Sequence, residues 1–153
     1  MKTIAMALAF LCMAIATQAA EMKWLDDFEK AKAQSASAKM PILMLLTGSD
    51  WCPGCMALEK EILSKPETQS FIIKNTVPMK VDFPRRHKLQ PGVAAQNEKL
   101  GEKYNTSNTV PTLVLLDKDG KLIANVELRG EFSPKGFIAG LQEALAKAKT
   151  PKH

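Results

Sequence analysis

The sequence predicts an α/β protein in which a central mixed β-sheet is flanked by helices, with a helical extension at the N-terminal end. Three observations support this. Hydrophobic periodicity gives the order helix, strand, helix, helix, strand, helix, strand, strand, helix. Helices separate the first two strands, which favours parallel pairing, whereas the tight turn Asp117–Gly120 joins the last two and favours antiparallel pairing. The run Ile42–Leu46 is unbroken apolar, as expected of a strand covered on both faces.

The first predicted helix begins near Trp24 and forms the extension. From Trp24 to Ser35, apolar or small residues recur at i, i+4, i+7 and i+11, which is the spacing of one helical face. Pro41 ends the helix, because its ring and its missing N–H interrupt helical hydrogen bonding. The strand Ile42–Leu46 follows, and Gly48-Ser49-Asp50 is the turn that leaves it.

The same two periodicities predict the remaining elements. Pro53 and Pro134 each suit a first helical turn, where the N–H that proline lacks would have no helical partner. Pro78 lies near the start of a strand, where a missing donor is tolerated. The predicted helices cover 53–63, 66–75, 93–104 and 134–148, and the predicted strands cover 77–83, 112–116 and 121–128.

The composition fits one folded domain and excludes several other classes. The 153 residues suffice for a single domain of ordinary size. Hydrophobic residues at 46% and charged residues at 24% exclude a disordered or fibrous chain. Lysine and arginine exceed the acidic residues by 21 to 16. These cations are scattered among glutamates rather than gathered with aromatic residues, so we expect no nucleic-acid partner.

Residues 1–20 predict a secretory signal peptide. Lys2 is followed by the uncharged apolar run Ile4–Ile15 and then by small residues. That run is shorter than the about 20 residues that a membrane-spanning helix needs, so a retained anchor is the less favoured alternative. We expect cleavage after Ala19 or Ala20, a mature domain over 21–153, and a periplasmic or otherwise secreted protein.

Two cysteines remain in the predicted mature chain, Cys52 and Cys55. A disulfide between them closes too small a loop to stabilise the fold much, so we interpret their role as chemical rather than structural. Cys52 lies at the start of a predicted helix, where unpaired N–H groups favour the thiolate, and we take it as the nucleophile. Cys55 lies three residues later on the same helical face, so it can resolve a mixed disulfide formed by Cys52.

Other roles for the two cysteines stay open at the level of sequence. A structural zinc site is disfavoured, since the only histidines, His87 and His153, lack zinc-ligand spacing. Two thiolates can bind Cu(I), as a copper carrier would. An inert disulfide is a third possibility, and a non-catalytic domain that acts only by binding a partner is a fourth. Our interpretation involves no metal and no dissociable cofactor.

Two motifs give the chain a specific family resemblance. Ser49–Cys55, which contains Trp-Cys-Pro-Gly-Cys, resembles the active site of the thioredoxin superfamily. Thr109–Thr112 resembles the second signature of that superfamily, a loop with a cis-proline facing the cysteines. The order of elements also matches over essentially all of the mature chain. The runs 50–63, 81–84 and 97–104 are similar to exported bacterial thioredoxin-like proteins and to the C-terminal thioredoxin-like domain of DsbD.

The resemblance implies a thioredoxin fold and a thiol–disulfide oxidoreductase that reduces protein or peptide disulfides by dithiol–disulfide exchange. It implies that the Val110–Pro111 bond is cis, and that the exposed backbone there pairs with an extended substrate segment. Trp51 would pack beside the active site, the alternative being a core aromatic. A reductase in an oxidising compartment needs a source of electrons, so we expect a membrane-linked electron donor. We also expect a monomer.

The chain departs from thioredoxin at Leu46. Thioredoxins carry a buried aspartate six residues before the first cysteine, and it serves as proton acceptor for the resolving cysteine. Glu59 is the candidate substitute, because it lies four residues after Cys55 and therefore on the same helical face. The DsbD-like domain has a glutamate at the matching place. The alternative is a surface glutamate paired with a neighbouring lysine.

A basic run, Arg85-Arg86-His87-Lys88, lies in the predicted loop 84–91. Runs of like charge usually face solvent, and we interpret this one as a solvated loop. The alternative is that it docks an acidic partner.

Overall fold

A computed structural model of the chain describes residues 22–149. The predicted order of elements is confirmed. A π-helical turn, Glu59–Leu63, continues the second helix. The helices are α1 (Phe28–Ala38), α2 (Pro53–Leu58), α3 (Pro66–Asn75), α4 (Pro91–Tyr104) and α5 (Pro134–Lys149), and the strands are β1 (Ile42–Thr47), β2 (Val77–Asp82), β3 (Thr112–Leu116) and β4 (Leu122–Asn125).

The four strands form one mixed sheet in the order β2-β1-β3-β4. β1 pairs in parallel with β2, in a register that aligns Leu45 with Lys80. β1 pairs antiparallel with β3, and β3 pairs antiparallel with β4. The parallel pair is joined through α2 and α3 and the last pair by a tight turn, so the predicted mixed sheet is confirmed.

Helices cover both faces of the sheet. Leu43 and Leu45 of β1 pack into a core with residues of α2, α3 and α5, including Phe137. Alternate side chains of β1, such as Met44 and Leu46, pack into a second core with residues of α1 and α4. Every side chain of β1 is buried, which accounts for the unbroken apolar run in the sequence.

The N-terminal extension differs from the prediction at its start. α1 begins at Phe28 rather than near Trp24, because Asp27 caps it and accepts a hydrogen bond from the Lys30 N–H at 2.9 Å. The preceding residues are extended, and Leu25 forms a bridge to the edge of β2. The Leu25 N–H donates to the Pro78 carbonyl at 3.0 Å. Backbone pairing with the sheet edge therefore replaces the expected first helical turn.

β4 is shorter than the predicted strand over 121–128. Its pairing with β3 ends with the Val126 N–H, which donates to the Leu113 carbonyl at 2.9 Å. Beyond this point α5 packs directly against the backbone. Gly140 lies so close to Glu127 that a Cβ there would overlap the Glu127 carbonyl oxygen. Glu127 and Leu128 therefore lie against α5 rather than in the sheet.

Within residues 22–149, no helix is long and apolar enough to cross a membrane. The predicted signal peptide and its cleavage site lie outside the described residues.

Candidate active site

The two cysteines lie where β1 leaves the sheet and α2 begins. They form a disulfide, with their Cα atoms 5.2 Å apart, and both side chains are largely buried. Cys52 occupies the N-cap position of α2, and its sulfur accepts a hydrogen bond from the Cys55 N–H at 3.2 Å. The Gly48 N–H points to the Cys55 sulfur at 3.4 Å. Backbone donors directed at both sulfurs favour negative charge on either one after reduction.

The Thr109–Thr112 loop faces Cys52. The Val110–Pro111 bond is cis, and the Val110 carbonyl oxygen lies 3.6 Å from the Cys52 sulfur. Within residues 22–149 the Val110 N–H makes no hydrogen bond. Gly54 lies against the loop, since a Cβ at that position would be 3.6 Å from Pro111 Cδ. A backbone donor is thus left unpaired next to the reactive sulfur.

Trp51 packs beside the cysteines over Gly48. A Cβ at Gly48 would overlap the indole ring, so the turn requires glycine there. The half-buried indole donates its N–H to the Phe83 carbonyl at 2.7 Å. The guanidinium carbon of Arg85 lies 3.7 Å from the centre of the ring, within the range of a cation–π interaction. The ring is therefore fixed from two sides beside Cys52.

Glu59 faces Cys55 across a small cavity. The cavity has a volume of about 240 Å³, and its lining includes Cys55, Glu59 and Lys80. The Glu59 carboxylate is paired with the Lys80 ammonium at 3.2 Å, and its side chain is 46% exposed. Glu59 is thus paired with a lysine, as one alternative proposed, and it also lies near Cys55, as the other required. The cavity is roomy enough for water molecules that could connect the carboxylate and the thiol.

Asp50 joins the catalytic turn to the basic loop, a role that the sequence analysis did not predict. Its carboxylate accepts hydrogen bonds from the Arg85 N–H at 2.9 Å and the Arg86 N–H at 2.7 Å, and His87 Nδ1 lies 3.2 Å away. The pKa of Asp50 lies below its ordinary value, first because of the Arg85 N–H and then because of Arg86 and His87, although burial opposes the shift.

The structure brings five of the six predicted site residues into one place: Trp51, Cys52, Cys55, Val110 and Pro111. Glu59 is not part of this group. It lines the small cavity together with Cys55, and Cys52 does not line that cavity. Among residues 22–149, no group of three or more His, Cys, Asp or Glu side chains is arranged to hold a metal ion.

Fold and site together define a thiol–disulfide oxidoreductase built on a thioredoxin-like domain. The chain belongs to the thioredoxin-like domain family, whose model matches residues 28–145. It is 29% identical over 130 residues to the disulfide bond reductase DsbH of Chlamydia pneumoniae, covering 83% of this chain and 75% of that protein. A solved structure described as DsbH oxidoreductase superimposes with a TM-score of 0.70 at 27% identity, covering 85% of this chain and 86% of that one.

A further relative is a much longer protein. The thiol:disulfide interchange protein DsbD of Pectobacterium atrosepticum is 30% identical over 114 residues, which is 74% of this chain but 18% of DsbD. The similarity therefore concerns one domain of that protein.

Replacing Asp50 by Asn should flatten the acid dependence of stability. The lowered pKa of Asp50 means that the folded chain binds its proton less readily than the unfolded chain. The resulting stabilisation is present above the unfolded pKa of about 3.9 and is lost as the pH falls through the lower folded value. Below about pH 4 the free energy of unfolding of the wild type should therefore fall more steeply than that of Asp50→Asn.

Urea unfolding from neutral pH to about pH 3 measures this difference. Asp26→Asn is the control, since the Asp26 side chain is exposed and its carboxylate has no hydrogen-bond partner among residues 22–149. Equal acid slopes for the wild type and Asp50→Asn would refute the role of the carboxylate.

Proposed function

We propose that this protein is an exported reductase that transfers two electrons to disulfides of proteins or peptides. The Cys52 thiolate attacks a substrate disulfide, forming a mixed disulfide and releasing one substrate thiolate. The Cys55 thiolate then attacks the Cys52 sulfur, which releases the second substrate thiol and leaves the Cys52–Cys55 disulfide. The observation that carries the proposal is this disulfide at the start of α2, with the Cys52 sulfur 3.6 Å from the Val110 carbonyl oxygen.

The reducing direction is supported by the relative from Chlamydia pneumoniae, which is named a disulfide bond reductase. Each catalytic cycle oxidises the two cysteines, so a reductant must restore them. We propose a membrane-linked thiol donor for this step, consistent with the similarity to one part of DsbD. Export rests on the apolar leader of the sequence.

Cys52 is assigned as the nucleophile because its sulfur caps α2 and lies next to the Val110 carbonyl of the substrate loop. The Cys55 N–H that points to it at 3.2 Å stabilises a thiolate more than a thiol. A lower thiol pKa raises the thiolate fraction at neutral pH, and the thiolate is the attacking species. The Cys55 sulfur faces the Gly48 N–H, whereas the Cys52 sulfur faces the loop at Val110, which suits Cys55 to a second, internal attack.

Substrate binding is assigned to the Val110–Pro111 segment and Trp51. The free Val110 N–H can donate to a carbonyl of an extended substrate segment, as an exposed strand edge does. Trp51 gives an apolar wall beside the sulfur, held by its hydrogen bond to Phe83. Both contacts involve backbone or apolar groups, so they suit many substrate sequences.

Glu59 is assigned as general base for Cys55. The Cys55 thiol must lose its proton before it attacks the Cys52 sulfur, so the second step needs a proton acceptor. Glu59 and Cys55 line the same cavity, and water there can carry the proton between them. Lys80, at 3.2 Å, holds the carboxylate at the cavity.

Replacing Cys55 by Ala should trap the substrate on Cys52. Without the second thiol the mixed disulfide cannot be resolved, so adducts accumulate in cells that make the variant. They should be visible on non-reducing gels and disappear on reduction. The Cys52→Ser, Cys55→Ala double variant is the control and should form none. If the single variant forms no adducts either, thiol–disulfide exchange through Cys52 is refuted. A copper carrier or a non-catalytic binding domain then becomes the better hypothesis.

Replacing Glu59 by Gln should slow resolution of a preformed mixed disulfide by about ten-fold or more near neutral pH, since general-base assistance is lost. The defect should shrink at higher pH, where Cys55 ionises without assistance. Stopped-flow release of a fluorescent thiol from Cys52 measures the rate. Glu61→Gln is the matched control, because Glu61 lies in the same π-helical turn and pairs with Lys60 on the surface. Equal rates for Glu59→Gln and the wild type would remove Glu59 from the mechanism.

A further inference from the structure

The basic loop, residues 84–91, presents three exposed cations beside the active site. Arg85, Arg86 and Lys88 are all exposed, and none of them forms an ion pair within residues 22–149. The nearby carboxylate of Asp50 is 17% exposed and is occupied by backbone N–H groups of the same loop. Its charge therefore stabilises the loop backbone, while the three side chains stay free for other anions.

The basic loop is held in a fixed position relative to the nucleophile. Asp50 anchors it from the turn that precedes Cys52, and the Trp51 indole donates to the carbonyl of Phe83 directly before the loop. Next to that anchor, Ser49 donates to the Asp82 carboxylate through its N–H at 2.9 Å and also through its hydroxyl. These contacts fix the backbone of the basic loop, while its charged side chains are exposed to solvent as the sequence predicted.

Arg85 connects the loop to the substrate side of the site. Its guanidinium lies on Trp51, and both residues line a cavity of about 740 Å³ that Val110 also lines. The opposite wall, on α4, includes Glu98 and Glu102. The cavity therefore carries one guanidinium on the loop side and two carboxylates on the α4 side, so an acidic segment is attracted to the loop and repelled from α4.

We propose that the basic loop binds acidic residues that flank the reactive cysteine of a polypeptide substrate. The inference rests on the proposed function and adds a substrate class to it. A guanidinium already stacked on Trp51 loses little conformational freedom on binding a carboxylate. Exposed ion pairs contribute little each, but a cluster of like charges beside a reactive group speeds the encounter with oppositely charged partners.

The test compares two disulfide peptides of equal length, one with aspartates and one with asparagines around its cysteine. At low salt the kcat/KM for the aspartate peptide should exceed that for the asparagine peptide by about ten-fold. High salt should bring the ratio close to one, because it screens exposed charges. The Arg85→Gln, Arg86→Gln, Lys88→Gln variant should lose the preference even at low salt.

A matched control variant removes three positive charges from a surface far from the active site. Lys74, Lys121 and Lys149 are exposed and lie at the end of α3, before β4 and at the end of α5. These positions are at the end of the sheet opposite the cysteines. The Lys74→Gln, Lys121→Gln, Lys149→Gln variant should keep the preference for the aspartate peptide.

A small uncharged disulfide, 2-hydroxyethyl disulfide, separates specificity from redox chemistry. The wild type and the Lys74→Gln, Lys121→Gln, Lys149→Gln variant should reduce it at the same rate, and so should Arg86→Gln, Lys88→Gln, which keeps the Arg85 guanidinium on Trp51. If they do, but the wild type treats the two peptides alike or the loop variant keeps the preference, the basic loop does not select acidic substrates, while the proposed function stands. Loop-dependent binding to phosphatidylglycerol vesicles without a peptide preference would assign the basic loop to membranes and overturn the inference. Failure of the wild type to reduce any of these disulfides would overturn the proposed function itself.

Discussion

Burial of β1 on both faces fixes where the redox cysteines lie. Each residue of Ile42–Thr47 is at most 4% exposed, so the strand has one position between two helical layers. Its register with β2 and β3 places the end of the strand at Thr47, so the chain leaves the sheet at Gly48. α2 begins five residues after Gly48, at Pro53, with the disulfide at its first turn. The nearby Val110 carbonyl precedes β3, which pairs with the same strand. One buried strand therefore sets the distance between nucleophile and substrate loop.

The same strand explains why the carboxylate nearest Cys55 lies on the helix rather than on β1. Leu46 points into the apolar core shared with α1 and α4, so no proton acceptor comes from there. The register aligns Lys80 with Leu45, whose side chain points to the layer formed by α2, α3 and α5. Residues aligned on neighbouring strands share a face, which brings Lys80 to Glu59. In the proposed mechanism, Glu59 on the helix, paired with Lys80 on the sheet, takes the place of the buried aspartate of thioredoxins.

Local sequence patterns predict the elements and the central motif well, because these depend on periodicity and on residues close in the chain. The mixed sheet, the helix starts at Pro53 and Pro134, and the cysteines at the start of α2 follow this rule. The remaining features depend on contacts between distant residues. Asp50 binds backbone donors 35 and 36 positions away, and the Lys80 partner of Glu59 is 21 positions away. No periodicity encodes such pairings. The sequence therefore predicts that the basic loop is exposed, but it does not show that Asp50 anchors the loop.

The reduction potential of the Cys52–Cys55 couple tests the central claim most directly. Purified mature protein is equilibrated in buffers of defined reduced and oxidised dithiol, and the free thiols are trapped and counted. A reductase of this family should show a value near that of thioredoxin, about −270 mV. A value near about −120 mV, which is typical of a strong dithiol oxidant, would mean that the protein donates disulfides and would contradict the proposed direction.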